Sequence, residues 1–288
     1  MEQKYIDLYD RFTHGVLPRR EFLEKLAKLA GSAAAASALV AGLQNDYAKA
    51  AMVSEDDSRL TIETAQFDTG KGKVSGYLVK QKQAGKPPGV IVIHENRGLN
   101  PHIKDVARRL ALEGFLVLAP DYLSLAGGTP TDEDKARDMI GKITADDALT
   151  VSQSSLAFLA IRPDSNGKVG AVGFCWGGGQ INALAVAEPK LAAGVAYYGR
   201  QPAADQVDNI QAAMLLHYAG LDEGINKGIA AYEKALKAAG KTYEIYVYDG
   251  VNHAFNNDTN EARYNKAAAD LAWSRTVAFL KKYAGGSA

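Results

Sequence analysis

The chain has one cysteine, and its neighbours decide how to read it. Cys175 lies in Gly173-Phe174-Cys175-Trp176-Gly177, between the apolar run "KVGAVGF" and the glycine-rich "GGGQINALA". A lone thiol is most often a small buried hydrophobe. A G-x-C-x-G segment joining a predicted strand to a predicted helix reads otherwise, as a nucleophile elbow with sulfur in place of oxygen. Side chains two residues either side of the nucleophile would collide in so sharp a turn, so glycine is needed there. The positive end of the following helix favours thiolate. Two further groups could complete the chemistry. Asp222 follows the run "AAMLLHYAG", and His253 follows "TYEIYVYDG". Alone, Asp222 is an ordinary helix N-cap and His253 an ordinary loop histidine. Together with the thiol they are a nucleophile, a base and the carboxylate that orients it.

These residues must be positioned by the elements between them. "LTIETAQF" and "KVSGYLVKQ" alternate and read as an antiparallel hairpin. "PPGVIVIHE", "FLVLAP", "KVGAVGF", "LAAGVAYYG", "AAMLLHYAG" and "TYEIYVYDG" read as buried strands separated by helical segments. Alternation of this kind predicts a mostly parallel sheet with helices on both faces. Ligands bind such sheets beyond the carboxyl ends of the strands, where Cys175, Asp222 and His253 all fall. Their chain order is that of nucleophile, acid and histidine in α/β-hydrolases. The loop after "GVIVIHE" holds Glu95, Asn96, Arg97 and Gly98. That loop normally supplies the second backbone N–H of an oxyanion hole; a carboxylate and a guanidinium are unexpected there for a plain esterase. The polar, glycine-bearing stretch from 124 to 147 reads as a lid or loop insertion.

Composition narrows the partners. The 288 residues carry 33 Lys plus Arg against 33 Asp plus Glu. That balance leaves no electrostatic footprint for nucleic acid. The five histidines and single cysteine show no metal-ligand spacing, neither HExxH nor CxxC. A redox role for the thiol lacks a resolving cysteine.

Residues 1–53 differ from residues 54–288. Arg19-Arg20 precede Phe22-Leu23, an uncharged Ala-rich run extends from Leu29 to Leu43, and Ala48-Lys49-Ala50 is a small-x-small site. This is the order of an export signal resembling the twin-arginine type, which predicts a periplasmic or secreted protein. The run is shorter than the ~20 residues of a membrane span. The alternative is a cytoplasmic protein with a structural arm packed on the domain or on a second copy, since "QKYIDLYDRF" carries acids and aromatics. Such an arm is a candidate dimerisation element.

From about residue 60 to 283 the chain resembles the dienelactone hydrolase family of α/β-hydrolases. The resemblance rests on "HENRGLNPHIKDVARRLALEGFLVLAPDYL", "GKVGAVGFCWGGG", "GLDEGIN" and "VNHAFNN". It implies a triad of Cys175, Asp222 and His253, with an oxyanion hole from the backbone N–H groups of Trp176 and Asn96. It implies that Glu95 holds the resting thiol until substrate arrives. It also implies cleavage of a small-molecule ester or lactone through a thioester, with no metal or organic cofactor. One departure stands out. Family members carry an arginine four residues after the histidine, which grips a substrate carboxylate; here that position is Asn257. Arg97 and Arg200 are candidate replacements, and Tyr198 is among the aromatics expected to shape the pocket. The same residues could act on other esters, phosphotriesters included, or persist in an inactive binding protein on this fold.

Overall fold

Eight strands form a single sheet in the computed structural model, which describes residues 1–47 and 51–285. Three helices come first: α1 (Gln3–Thr13), α2 (Arg19–Ala30) and α3 (Ala33–Leu43). The hairpin follows as β1 (Leu60–Asp68) and β2 (Lys73–Gln81), antiparallel as expected. Then come β3 (Gly89–Ile93), α4 (Pro101–Leu112), β4 (Leu116–Pro120), α5 (Glu133–Ile140), α6 (Ala145–Ala160) and β5 (Val169–Phe174). The chain finishes with α7 (Trp176–Ala187), β6 (Ala193–Tyr197), β7 (Ala213–Ala219), α8 (Glu223–Asn226), α9 (Ile229–Ala238), β8 (Tyr243–Tyr248) and α10 (Lys266–Tyr283). The strand order is β1-β2-β4-β3-β5-β6-β7-β8, parallel from β4 to β8.

The apolar runs explain the burial. Every residue of β3, β4, β5, β6 and β7 is buried, as a sheet covered on both faces requires. One core layer includes Val90, Val106 and Phe279 and the other Ile91, Leu159 and Leu216. The stops and starts follow local chemistry. Asn100 accepts from the Ile103 N–H ahead of Pro101, and Thr144 from the Asp147 N–H.

The first three helices build their own core. Tyr9, Phe12, Phe22, Leu26 and Leu43 pack together, with Phe12 stacked on Phe22 at 4.6 Å. No single helix among the described residues is long and apolar enough to cross a membrane; α2 and α3 would have to act as a pair bent by 112°. The small-x-small site at 48–50 lies outside the described residues.

Candidate active site

The elbow is a matter of backbone contact. Cys175 has φ 56° and ψ −114°, between β5 and α7, and its N–H donates to Tyr197 O at 3.1 Å. A Cβ on Gly173 would meet Gly177 O at 2.3 Å, and one on Gly177 would meet Ile93 O at 2.4 Å. The motif glycines are therefore required by close approach, as the spacing implied. Cys175, Tyr198 and Ala254 are the three non-glycine residues with positive φ among those described. Cys175 and Tyr198 directly follow β5 and β6, and Ala254 follows His253 in the loop after β8, around a site where such strain concentrates.

The sequence-predicted triad comes together. His253 Nδ1 donates to Asp222 Oδ2 at 2.5 Å, and the Cys175, His253 and His14 ligand atoms lie within 4.8 Å of one another. Asp222 fills both of its expected roles, since its other oxygen accepts from the Ile225 N–H at 3.1 Å and caps α8. Burial alone would hold His253 neutral, but the thiolate and the Asp222 carboxylate raise its pKa well above the ordinary range. Burial opposes ionisation of the thiol, yet the charge of His253 and the contact with His14 outweigh it and bring Cys175 to about 6. Both shifts favour the thiolate and imidazolium forms of this pair. Asp222 is likewise lowered, desolvation being outweighed by His253.

Trp176 is the first residue of α7, so its backbone N–H has no intrahelical acceptor. Its indole stacks on His94 at 5.5 Å, and burial keeps His94 neutral despite its carbonyl partner. Asn96 lies beside the pocket, and its side chain donates to Thr13 O at 2.7 Å. Tyr198 is buried with its ring 4.7 Å from His253.

Two expectations need correction. Glu95 does not hold the thiol: its carboxylate accepts from Asn257 Nδ2 at 2.8 Å, while Cys175 Sγ meets His14 Nε2 at 3.7 Å. The buried amide at 257 gives Glu95 a neutral partner and draws it toward that loop. Arg200 is exposed and does not line the pocket, so it is not placed to grip a substrate. Arg97 does line it; its Nε lies 3.8 Å from Glu133, and its buried Nη1 has no hydrogen-bond partner. The side chains of His14, Cys175 and His253 also converge, a cluster for which local ligand spacing gave no sign.

His14 and Arg263 were not found from the sequence. His14 ends α1, remains exposed as a residue, and puts its ring 4.4 Å from that of His253. Its only local signal is an amphipathic helix stopped by Gly15 at φ 74°. Arg263 is buried in the pocket wall and pairs with Asp10 at 2.8 Å. With Thr13 and His14 in place, the space over the thiol is about 20 Å³, whereas a neighbouring cleft lined by Tyr9, Phe22, Arg97 and Glu133 measures about 410 Å³.

Comparison with known proteins bears on the family and the fold. The sequence profile of the dienelactone hydrolase family matches residues 74–284, and a YqhI-like profile matches residues 1–33. An Escherichia coli strain K12 protein described as a candidate carboxymethylenebutenolidase is 31% identical over 251 residues, covering 81% of this chain and 92% of the relative. The crystal structure of a candidate dienelactone hydrolase from Klebsiella pneumoniae is 30% identical, with a TM-score of 0.68 over 77% of this chain and 100% of the other. A dienelactone hydrolase-like promiscuous phosphotriesterase from metagenomic libraries shares the fold at 24% identity, with a TM-score of 0.71 over 79% of this chain and all of the other.

Proposed function

The chain belongs to the dienelactone hydrolase family of α/β-hydrolases, and from that premise we propose that it cleaves a carboxylic ester or lactone with Cys175 as nucleophile. The observation that carries this reading is the alignment of Cys175, His253 and Asp222 on three strand-end loops. The thiolate attacks the carbonyl carbon, and the π electrons move to oxygen. The backbone N–H groups of Trp176 and Asn96 stabilise that oxyanion. Collapse expels the alkoxide, which takes the proton from His253 Nε2 and leaves a thioester. His253 then removes a proton from water as its oxygen attacks the thioester carbon, the C–S bond breaks to expel the thiolate, the acid leaves, and the thiolate–imidazolium pair returns.

Substrate preference follows from the pocket wall. The buried guanidiniums of Arg97 and Arg263 each carry an N–H without a hydrogen-bond partner. They favour a substrate bearing a carboxylate near the scissile bond, in place of the arginine that position 257 lacks. Turnover of lactones and aryl esters, with and without an acidic group, tests both statements. Cys175→Ala should lose at least about 1000-fold in kcat, and acidic members should show the higher kcat/KM. Wild-type turnover in Cys175→Ala overturns the nucleophile. Faster hydrolysis of phosphotriesters than of any carboxylic ester overturns the substrate class.

A further inference from the structure

The two imidazoles over the thiol are both fixed in the same tautomer. His253 Nδ1 is bound to the Asp222 carboxylate, and His14 Nδ1 lies 2.7 Å from the Asp10 carbonyl oxygen. Only an N–H can satisfy a carbonyl or carboxylate oxygen, so each ring carries its neutral-state proton on Nδ1. Their Nε2 atoms face each other at 3.2 Å. Two lone pairs at that separation repel unless a cation sits between them. A proton on one ring is one answer. The Cys175 sulfur at 3.7 Å from His14 Nε2 points to another.

From this arrangement we infer that His14, Cys175 and His253 form a binding site for a thiophilic divalent cation of the zinc class, whose occupancy switches the hydrolase off. A tetrahedral zinc ion, with bonds of ~2.0–2.1 Å to imidazole nitrogen and ~2.3 Å to thiolate, sets its nitrogens about 3.3 Å apart and nitrogen from sulfur about 3.6 Å apart. The observed separations of 3.2 Å between the two Nε2 atoms and 3.7 Å from Cys175 Sγ to His14 Nε2 match two of the three edges, and the third, from Cys175 Sγ to His253 Nε2, lies within 4.8 Å and closes as the ion draws the side chains in. The outer contacts also fit. Ligating histidines characteristically donate their second N–H to a carboxylate or a backbone carbonyl, and here one has each. Two imidazoles and a thiolate are a donor set that suits zinc rather than magnesium or calcium. Three protein ligands leave the fourth position for water.

Binding is an exchange of cations. The ion enters, one proton leaves His253 Nε2 for solvent, and sulfur binds as thiolate; nothing is oxidised or reduced. The ion occupies the nucleophile and the base together, so bound metal and ester turnover exclude each other. The ion also ties α1 to the body through His14. Metal binding itself does not depend on the hydrolase reading; the inhibition does.

Cobalt(II) titration of the full chain, pre-treated with chelator, tests the site without reference to activity. The expected result is one ion per chain, with a thiolate-to-cobalt charge-transfer band in the near ultraviolet and strong visible absorption of a tetrahedral centre. Zinc should displace it. Cys175→Ser should lose the charge-transfer band, and His14→Ala and His14→Gln should each weaken cobalt binding at least about tenfold, with unchanged circular dichroism. Absence of the band in wild type, or equal affinity in both His14 variants, overturns the proposal. In a parallel assay, one equivalent of zinc should suppress ester turnover and chelator should restore it. A cobalt band in a protein that hydrolyses no ester or lactone upholds the metal site and sinks the hydrolase. Turnover without the band does the reverse.

Discussion

At Cys175, burial and neighbouring charge compete for one proton. Burial favours the neutral thiol, but His253 and His14 win and bring its pKa to about 6. The imidazole of His253 is in turn raised by the thiolate and by Asp222 against its burial, so Cys175 and His253 titrate together. Alkylation by iodoacetamide reads the thiolate directly. Below pH 6 the sulfur takes up its proton and the rate falls; above it the rate levels off. With chelator present, the midpoint should lie near 6, against ~8.5 for an unperturbed cysteine. His253→Ala removes the largest favourable charge and should carry the midpoint upward. A wild-type rate still climbing steeply past pH 8 would contradict the ion pair.

At the scale of elements, β5, its turn and α7 act as one unit, because three glycines let backbones touch. Gly177 packs its Cα against the end of β3, and Gly178 against Tyr197 O at the end of β6. In Gly177→Ala, the new methyl would lie 2.4 Å from Ile93 O and 2.6 Å from His94 O. Backbone cannot yield as a side chain can, so α7 must shift away from β3. Overpacking of this kind costs about 1–3 kcal/mol, and a misplacement of roughly 1 Å can lower turnover about 100-fold. A thermal melt and a kcat measurement on Gly177→Ala should show a modest stability loss beside a disproportionate activity loss. Equal activity would mean the elbow tolerates relaxation. These elements are the ones legible in the sequence, and for a local reason. Each triad member immediately follows an apolar run, and continuous runs mark buried parallel strands. The G-x-C-x-G spacing states its own steric requirement. His14 left no comparable trace, because it reaches the site from 239 residues before His253 by the docking of a separate helical unit. Glu95 was misassigned for a related reason: its partner depends on where the Asn257 amide lies, which spacing does not encode.

For the whole molecule, the arm helices α1 to α3 are best regarded as a body with its own core held to the α/β domain by polar contacts. Their apolar cluster draws in Ala262 from the domain and otherwise consists of arm residues. The attachments are hydrogen bonds and ion pairs: Asn96 to Thr13 O at 2.7 Å, Asp46 N–H to Thr259 O at 2.7 Å, and Arg263 to Asp10 at 2.8 Å. The export-signal pattern and this packing use the same residues. Phe22, which follows the paired arginines of that pattern, and Leu43, which ends its Ala-rich run, are almost wholly buried in the arm core. Polar interfaces of this kind permit relative motion, and Thr13 and His14 help to confine the space over the thiol to about 20 Å³. Loosening the arm should therefore expose the thiol. Leu26→Ala removes a fully buried side chain, at a cost of about 2–5 kcal/mol borne by the arm rather than the sheet. Bulky maleimides should then label Cys175 at least about tenfold faster than in wild type, and iodoacetamide, being small, should gain less. The main thermal transition should stay in place, because β1 to β8 keep their packing. If the ratio of bulky to small reagent rates does not change while the arm is shown to have loosened by hydrogen exchange at α2, the arm does not gate the site. Access to Cys175 would then run through the cleft beside Arg97 instead.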